Sequence, residues 1–199
     1  MAKKKTSKKI TQLTWGGKFY TLLQILIFKP KPALEKIANR GKKFLPMAGV
    51  IVFLFASLSF LGGFDLSSFV GFFESLASTF IYVGLIYFLG KLIFKGKADF
   101  WNLFSSLTCI DIILLYLIPI FILLIFTWGS AIALVAIWVL YYLFLSVLAV
   151  NLCHKINGAQ SFVVVLISAI ILVLLNYGLS VLLKLPGEGV VGQAIGFMV

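Results

Sequence analysis

Five long apolar runs, separated by short polar or glycine-containing turns, dominate the pattern of the chain. Each has close to the roughly 20 residues that cross about 30 Å of hydrocarbon as a helix. Polar and apolar residues do not alternate at every second position, as they would in the strands of a membrane barrel. The pattern therefore predicts an all-α integral membrane protein, a bundle of five transmembrane helices. The predicted spans cover about 44–61, 76–94, 101–126, 131–150 and 161–183, within a transmembrane domain over 44–184.

The segment 19–43, before the first span, has a shorter apolar pattern. Its apolar run, Phe19–Phe28, is too short to cross a membrane and is followed by two prolines. Beyond Pro32, apolar residues recur at helical spacing on one face, and Gly41 can end the helix. The recurring residues are Leu34, Ile37 and Ala38. We therefore predict an interfacial, amphipathic helical lead-in on the inner surface of the membrane.

The two ends of the chain lack an apolar period. Residues 1–18 are rich in lysine and predict a basic, flexible cytoplasmic arm. Residues 185–199 include four glycines and too few apolar residues for a sixth span. They predict a C-terminal tail on the outer side.

Composition supports the membrane assignment. Hydrophobic residues make up 62% of the chain and charged residues 12%, whereas soluble domains are about half apolar and a quarter charged. This balance excludes an ordinary soluble protein.

The basic residues lie almost entirely on one side of the predicted bundle. Sixteen of the 17 precede the first span or lie near the turns that join the second span to the third and the fourth to the fifth. The positive-inside rule then predicts an N-terminus in the cytoplasm and a C-terminus outside. This distribution favours attraction to anionic lipid over binding of nucleic acid. The predicted headgroup contacts are Lys29, Lys31, Lys36, Arg40, Lys42 and Lys43.

Asp111 is the one acid that should lie deep in a span. A carboxylate near the middle of a bilayer is costly unless it is paired or neutralised, so such acids are candidates for function. One interpretation is a proton- or cation-linked site, or a polar clamp to another helix or subunit. The other is a protonated acid with a purely structural hydrogen bond to a neighbouring serine, tyrosine or asparagine.

Three further residues complete the candidate intramembrane polar site. Pro119 should kink the third span and free backbone carbonyls that could line a cavity. Asn176 and Tyr177 lie toward the outer part of the fifth span, where they are candidates for interhelical hydrogen bonds.

The sequence lacks the motifs of common enzyme classes. It has no phosphate-binding glycine loop, no nucleophile elbow with a triad and no zinc-protease helix motif. His154, the only histidine, adjoins Cys153, but no cluster of further ligands accompanies the pair. We therefore expect no enzymatic activity, no metal and no cofactor.

Three stretches of the sequence resemble Yip1-domain membrane proteins. FKPKPALEKIA, at 28–38, resembles the proline-containing amphipathic lead-in of that family. GKLIFKGKADFWNLFSSL, at 90–107, resembles the turn and aromatic start of its third span. WVLYYLFLSVLAVNLCHKINGAQSFVVVL, at 138–166, resembles its fourth span, short turn and fifth span. The resemblance extends over about 28–183 and implies a five-helix bundle with a cytoplasmic N-terminus.

One departure from the family pattern concerns the third span. Family members often have a proline closer to its start, where this chain has Asp111 and Ile113. This marks Asp111 as particular to this protein. Eukaryotic members of the family are associated with Rab GTPases and with traffic between the endoplasmic reticulum and the Golgi, whereas prokaryotic members have no settled activity. The short loops resemble the prokaryotic type, so a Rab partner is not carried over.

The sequence leaves two hypotheses about function. The first is a non-enzymatic membrane scaffold or organiser that binds anionic lipid and other membrane proteins or further copies of itself. The alternative is a small transporter or permease subunit that uses Asp111 as a proton- or cation-linked group. The expected location is the plasma (inner) membrane of a prokaryote, or an endomembrane of the endoplasmic reticulum or Golgi if the protein is eukaryotic.

Overall fold

The structure is a computed structural model that describes residues 14–27, 29–126 and 128–182. It is built from helices. The predicted all-α fold is confirmed over this part of the chain. The predicted tail 185–199 and most of the predicted arm 1–18 lie outside the described residues. The α-helices are α1 (Trp15–Leu26), α2 (Pro30–Ala56), α3 (Leu66–Phe94), α4 (Phe100–Ile110), α5 (Leu117–Phe126), α6 (Trp128–His154) and α7 (Gly158–Leu182), and the 3-10 segments are Ser57–Gly62 and Asp111–Tyr116.

Five helical stretches of the described chain are long and apolar enough to cross a membrane. This confirms the prediction of five spans. The first and third spans each combine an α-helix with a 3-10 segment. The stretches are Pro30–Leu61, Leu66–Phe94, Phe100–Leu123, Ile132–His154 and Gly158–Gly178.

Helix α1 begins inside the segment that was predicted to be a flexible arm. The Thr14 hydroxyl accepts a hydrogen bond from the backbone N–H of Gly17 at 3.4 Å and caps the helix. The ammonium group of Lys18 lies 4.8 Å from the centre of the Trp15 ring. A cap and a cation–π contact thus start the helix at Trp15, four residues before the apolar run.

The lead-in helix and the first span form one element, α2, interrupted at Arg40. This residue has φ −136° and ψ 25°, outside the helical region. The interruption lies next to Gly41, where the sequence predicts a stop. A Cβ atom on Gly41 would overlap the backbone of Asn102 on α4, and the Gly41 carbonyl accepts a 2.9 Å hydrogen bond from the Ser105 hydroxyl. The glycine therefore permits the close approach of α2 and α4.

Helix α4 lies at the centre of the bundle. Every residue from Leu103 to Ile110 is buried, and α2, α3 and α6 pack around the helix. Small polar side chains share this interior with the apolar ones, as is common where membrane helices approach closely. The fully or almost fully buried hydroxyl residues are Thr21, Ser105, Ser106, Thr108, Ser146, Ser161 and Ser168.

One end of the bundle carries the turns with lysine residues and is called the basic end here. It comprises the α2 interruption with Lys42, the turn Lys95–Lys97 and the end of α6 with Lys155. The Lys97 backbone N–H donates to the His154 carbonyl at 2.9 Å, and Lys42 forms an ion pair with Asp99 at 3.6 Å. These contacts bring the three segments together at the same end.

The apolar faces of the lead-in are covered by protein. Leu22 and Ile25 of α1, and Leu34 and Ile37 of α2, are all at most 2% exposed. Helix α1 packs against α2 and against the 3-10 segment Asp111–Tyr116 of the third span. The helical pattern of the lead-in was therefore predicted correctly, while its position at the membrane surface stays a prediction.

The contact between α2 and α4 predicts a specific effect of a methyl group at Gly41. Gly41→Ala should lower the free energy of unfolding by about 1–3 kcal/mol, because the new Cβ must displace the Asn102 backbone. Gly49→Ala is the matched control on the same helix, since a Cβ there meets no atom within 4 Å. Thermal unfolding in detergent measures both variants. Equal midpoints for the two would contradict the close packing of these helices.

Candidate functional site

Asp111 lies where the third span changes from α4 to the 3-10 segment Asp111–Tyr116. The hydroxyl of Tyr142, on α6, donates a 2.8 Å hydrogen bond to its carboxyl group. The acid is thus linked to a tyrosine, one of the three partner types that the sequence suggested.

The backbone irregularity of the third span lies before Pro119. The sequence predicted a kink at this proline, which is an exposed residue within α5, shortly after the 3-10 segment. Proline lacks the N–H that would bond the carbonyl four residues earlier, and its ring crowds that carbonyl. For this reason the tighter 3-10 turns lie just before Pro119. The Ile113 carbonyl in this segment accepts a 3.1 Å hydrogen bond from the indole of Trp138 instead of lining a cavity.

Two tyrosines connect the middle of the spans to the end of α1. The Tyr116 hydroxyl donates to the Leu26 carbonyl, and the Tyr141 hydroxyl donates to the Ile25 carbonyl at 3.4 Å. The last carbonyls of a helix have no partner within it. These bonds therefore satisfy part of the α1 terminus and hold it beside the third and fourth spans.

These side chains form what we call the polar layer: Asp111, Tyr116, Trp138, Tyr141 and Tyr142. The sequence predicted only Asp111 among them. The signal for three others was present, because Trp138, Tyr141 and Tyr142 are spaced i, i+3 and i+4 on one helix and share a face. Aromatic residues with polar tips favour the membrane interfaces, so such a group in mid-span indicates buried hydrogen bonds.

The two predicted site residues of α7 differ in exposure. Asn176 is buried at 8% exposure, whereas Tyr177 is 64% exposed. Neighbouring residues on a helix point in different directions, about 100° apart. The role predicted for Asn176 and Tyr177 stays a prediction.

The six predicted headgroup contacts differ in their surroundings. The Lys36 ammonium donates to the Thr21 hydroxyl at 2.9 Å and so connects α2 to α1. Lys42 pairs with Asp99. The other four, Lys29, Lys31, Arg40 and Lys43, have exposed side chains.

His154, the histidine that adjoins Cys153, is buried. It ends α6 and is 1% exposed, and neither of its ring nitrogens has a hydrogen-bond partner within the described residues. The ring lies against Gly90 and Gly96, where a Cβ atom would overlap it. The glycines of the second span and the following turn thus make room for the imidazole. Among the described residues, no group of three or more potential ligands could hold a metal ion.

The bond between Asp111 and Tyr142 predicts an energetic coupling. In a double-mutant cycle of Asp111→Ala and Tyr142→Phe, we expect a coupling free energy of about 0.6–1.5 kcal/mol, the usual range for a hydrogen bond between membrane helices. Tyr20→Phe is the control, since Tyr20 is 61% exposed on α1 and should combine additively with Asp111→Ala. Chemical unfolding in mixed micelles gives the values. A cycle that closes additively for Tyr142 as well would show that the bond contributes nothing.

Comparison with known proteins identifies the family of this chain. The family model described as Yip1 domain matches residues 23–180, which include most of the lead-in, the five spans and the polar layer. Searches of curated proteins and of solved structures found no match to the chain. The match over most of the chain confirms the resemblance that the sequence suggested. This protein belongs to the Yip1-domain family.

Proposed function

We propose that this protein is a non-enzymatic membrane scaffold that binds other membrane proteins and anionic lipid. The observation that carries the proposal is that the side chains of the polar layer form their hydrogen bonds within the protein. Tyr142, Trp138, Tyr116 and Tyr141 all bond to atoms of the protein's own helices. Polar side chains that bond to neighbouring helices support a fixed framework, whereas a substrate path needs polar groups that face a cavity.

The charges of the lead-in support the lipid part of the proposal. Five of its six basic residues are exposed, and each lysine or arginine close to an anionic membrane surface contributes about 1 kcal/mol of attraction. By the positive-inside rule, the bias of basic residues supports a cytoplasmic position for the basic end. We accordingly propose a prokaryotic plasma membrane location with the N-terminus inside and the C-terminus outside.

A scaffold requires protein partners, either another membrane protein or a second copy of this chain. Phe88 on α3 and Leu140 on α6 are 68% and 66% exposed and belong to different helices. A photo-crosslinking amino acid at each position, introduced in cells, should give a discrete protein adduct from one face and lipid adducts from the other. The similar exposure of the two positions makes each the control of the other. Lipid adducts alone at both positions would contradict the scaffold at these faces.

A second candidate function has one observation in its favour. Asp111 begins an irregular helical segment deep in a span, and interrupted helices of this kind form ion sites in many transporters. If the protein is a transporter subunit, Asp111→Asn should abolish a proton- or cation-driven flux in proteoliposomes, because asparagine cannot carry the charge. Tyr142→Phe, which keeps the carboxyl group, should retain it. The absence of any flux in the wild type, or a flux that Asp111→Asn leaves intact, would exclude this role for Asp111.

A further inference from the structure

We propose that a groove at the basic end binds the phosphate of an anionic phospholipid headgroup, with Arg40 and Lys43 as its cationic contacts. This inference rests on the proposed lipid binding and assigns it to one place. The groove lies between the α2 interruption and the start of α4, and its volume is about 320 Å³. Its lining residues are Asn39, Arg40, Lys42, Lys43, Asp99 and Asn102.

The walls of the groove are held by buried contacts. Gly41 lies directly against Asn102, and the Ser105 hydroxyl bonds to the Gly41 carbonyl at 2.9 Å. Gly41 and Ser105 are both buried. Because the backbone of Arg40 departs from helical geometry, its side chain points in a different direction from those of the preceding helical turn. The cationic side chains thus extend from a backbone that is fixed before a ligand arrives, which lowers the entropic cost of binding.

The charges in the groove do not balance. Asp99 accepts hydrogen bonds from the backbone N–H groups of Trp101 and Asn102 at 3.0 and 3.3 Å and pairs with Lys42. Within the described part of the chain, Arg40 and Lys43 have no ion-pair partner. An arginine with a free guanidinium is suited to a phosphate, because its planar N–H groups can bond two oxygens at once.

The level of the groove fits a lipid headgroup rather than a soluble anion. Trp101 follows Asp99 by two residues and is 44% exposed at the start of the third span. Exposed tryptophans at the ends of spans lie at the depth of the headgroups. A phosphate bound between Arg40 and Lys43 would therefore leave its acyl chains beside the apolar surface of the spans.

Two pairs of substitutions with equal charge change test this assignment. Arg40→Gln with Lys43→Gln removes two positive charges from the groove, and Lys95→Gln with Lys97→Gln removes two from exposed residues of the turn after α3, which do not line the groove. Native mass spectrometry of the full chain in detergent gives its affinity for phosphatidylglycerol and phosphatidylcholine. We expect the groove pair to weaken phosphatidylglycerol binding by about tenfold or more, and the control pair by less than about twofold. Thermal unfolding checks that both variants stay folded.

A change in the opposite direction separates binding from stability. Asp99→Asn removes the acid among the described residues that line the groove, and asparagine can still cap α4. It should therefore tighten phosphatidylglycerol binding several-fold, an effect that damage to the fold would not produce. Unchanged or weaker binding would overturn the assignment of the headgroup to this groove.

The remaining outcomes distinguish the groove from the broader function. If the two pairs of substitutions weaken binding equally, the lipid function stands but the groove is not its site. If the wild type does not prefer phosphatidylglycerol over phosphatidylcholine, both proposals fail. Calorimetry with inorganic phosphate tests whether the groove binds free phosphate instead of the phosphate of a lipid headgroup. Tight phosphate binding that is lost with Arg40→Gln and Lys43→Gln would assign the groove to a soluble anion and overturn the lipid as its ligand.

Discussion

Hydrocarbon offers no hydrogen bonds, so the backbone polar groups inside a span must find partners in the protein. The third span makes this constraint demanding, because its helix changes to 3-10 geometry from Asp111 onward. Trp138 supplies a donor to the backbone at Ile113, and Tyr142 supplies one to the acid itself. The fourth span thus presents donors where the third span presents acceptors. The packing of α5 and the 3-10 segment against α6 follows from this match.

The same constraint connects the lead-in to the bundle. The end of α1 has carbonyls without helical partners, and Tyr116 and Tyr141 reach them from two different spans. The hydrogen bond from Lys36 to Thr21 then joins α1 to α2. An element that starts as a polar arm is therefore fixed at several points along its length. This arrangement holds the basic residues of α2 in place relative to the spans, as a preformed lipid site requires.

The sequence was sufficient for the five spans because each has the length and composition that a bilayer demands, and the family resemblance pointed to the same fold. It also located the interruption near Gly41, while the functional role predicted for Asp111 stays a prediction. It could not identify the partners of these residues. Tyr141 and Ile25 are 116 residues apart, and helical periodicity says which residues share a face without saying what that face contacts. The stripe with Leu34 and Ile37 was suited equally to lipid or to protein, and the structure buries it in protein.

The distribution of close contacts separates the two ends of the bundle. Gly41, Gly90 and Gly96 all lie where an added Cβ would overlap another element, and all three are near the basic end. Gly49, Gly84 and Gly178 lie elsewhere along the spans and have open space around them, as does Gly158 at the start of α7. Close backbone packing fixes the relative position of helices more firmly than contacts between long side chains do. The basic end is thus the tightly built part of the molecule, and its charged groups are displayed from a framework that loss of a single exposed side chain should not disturb.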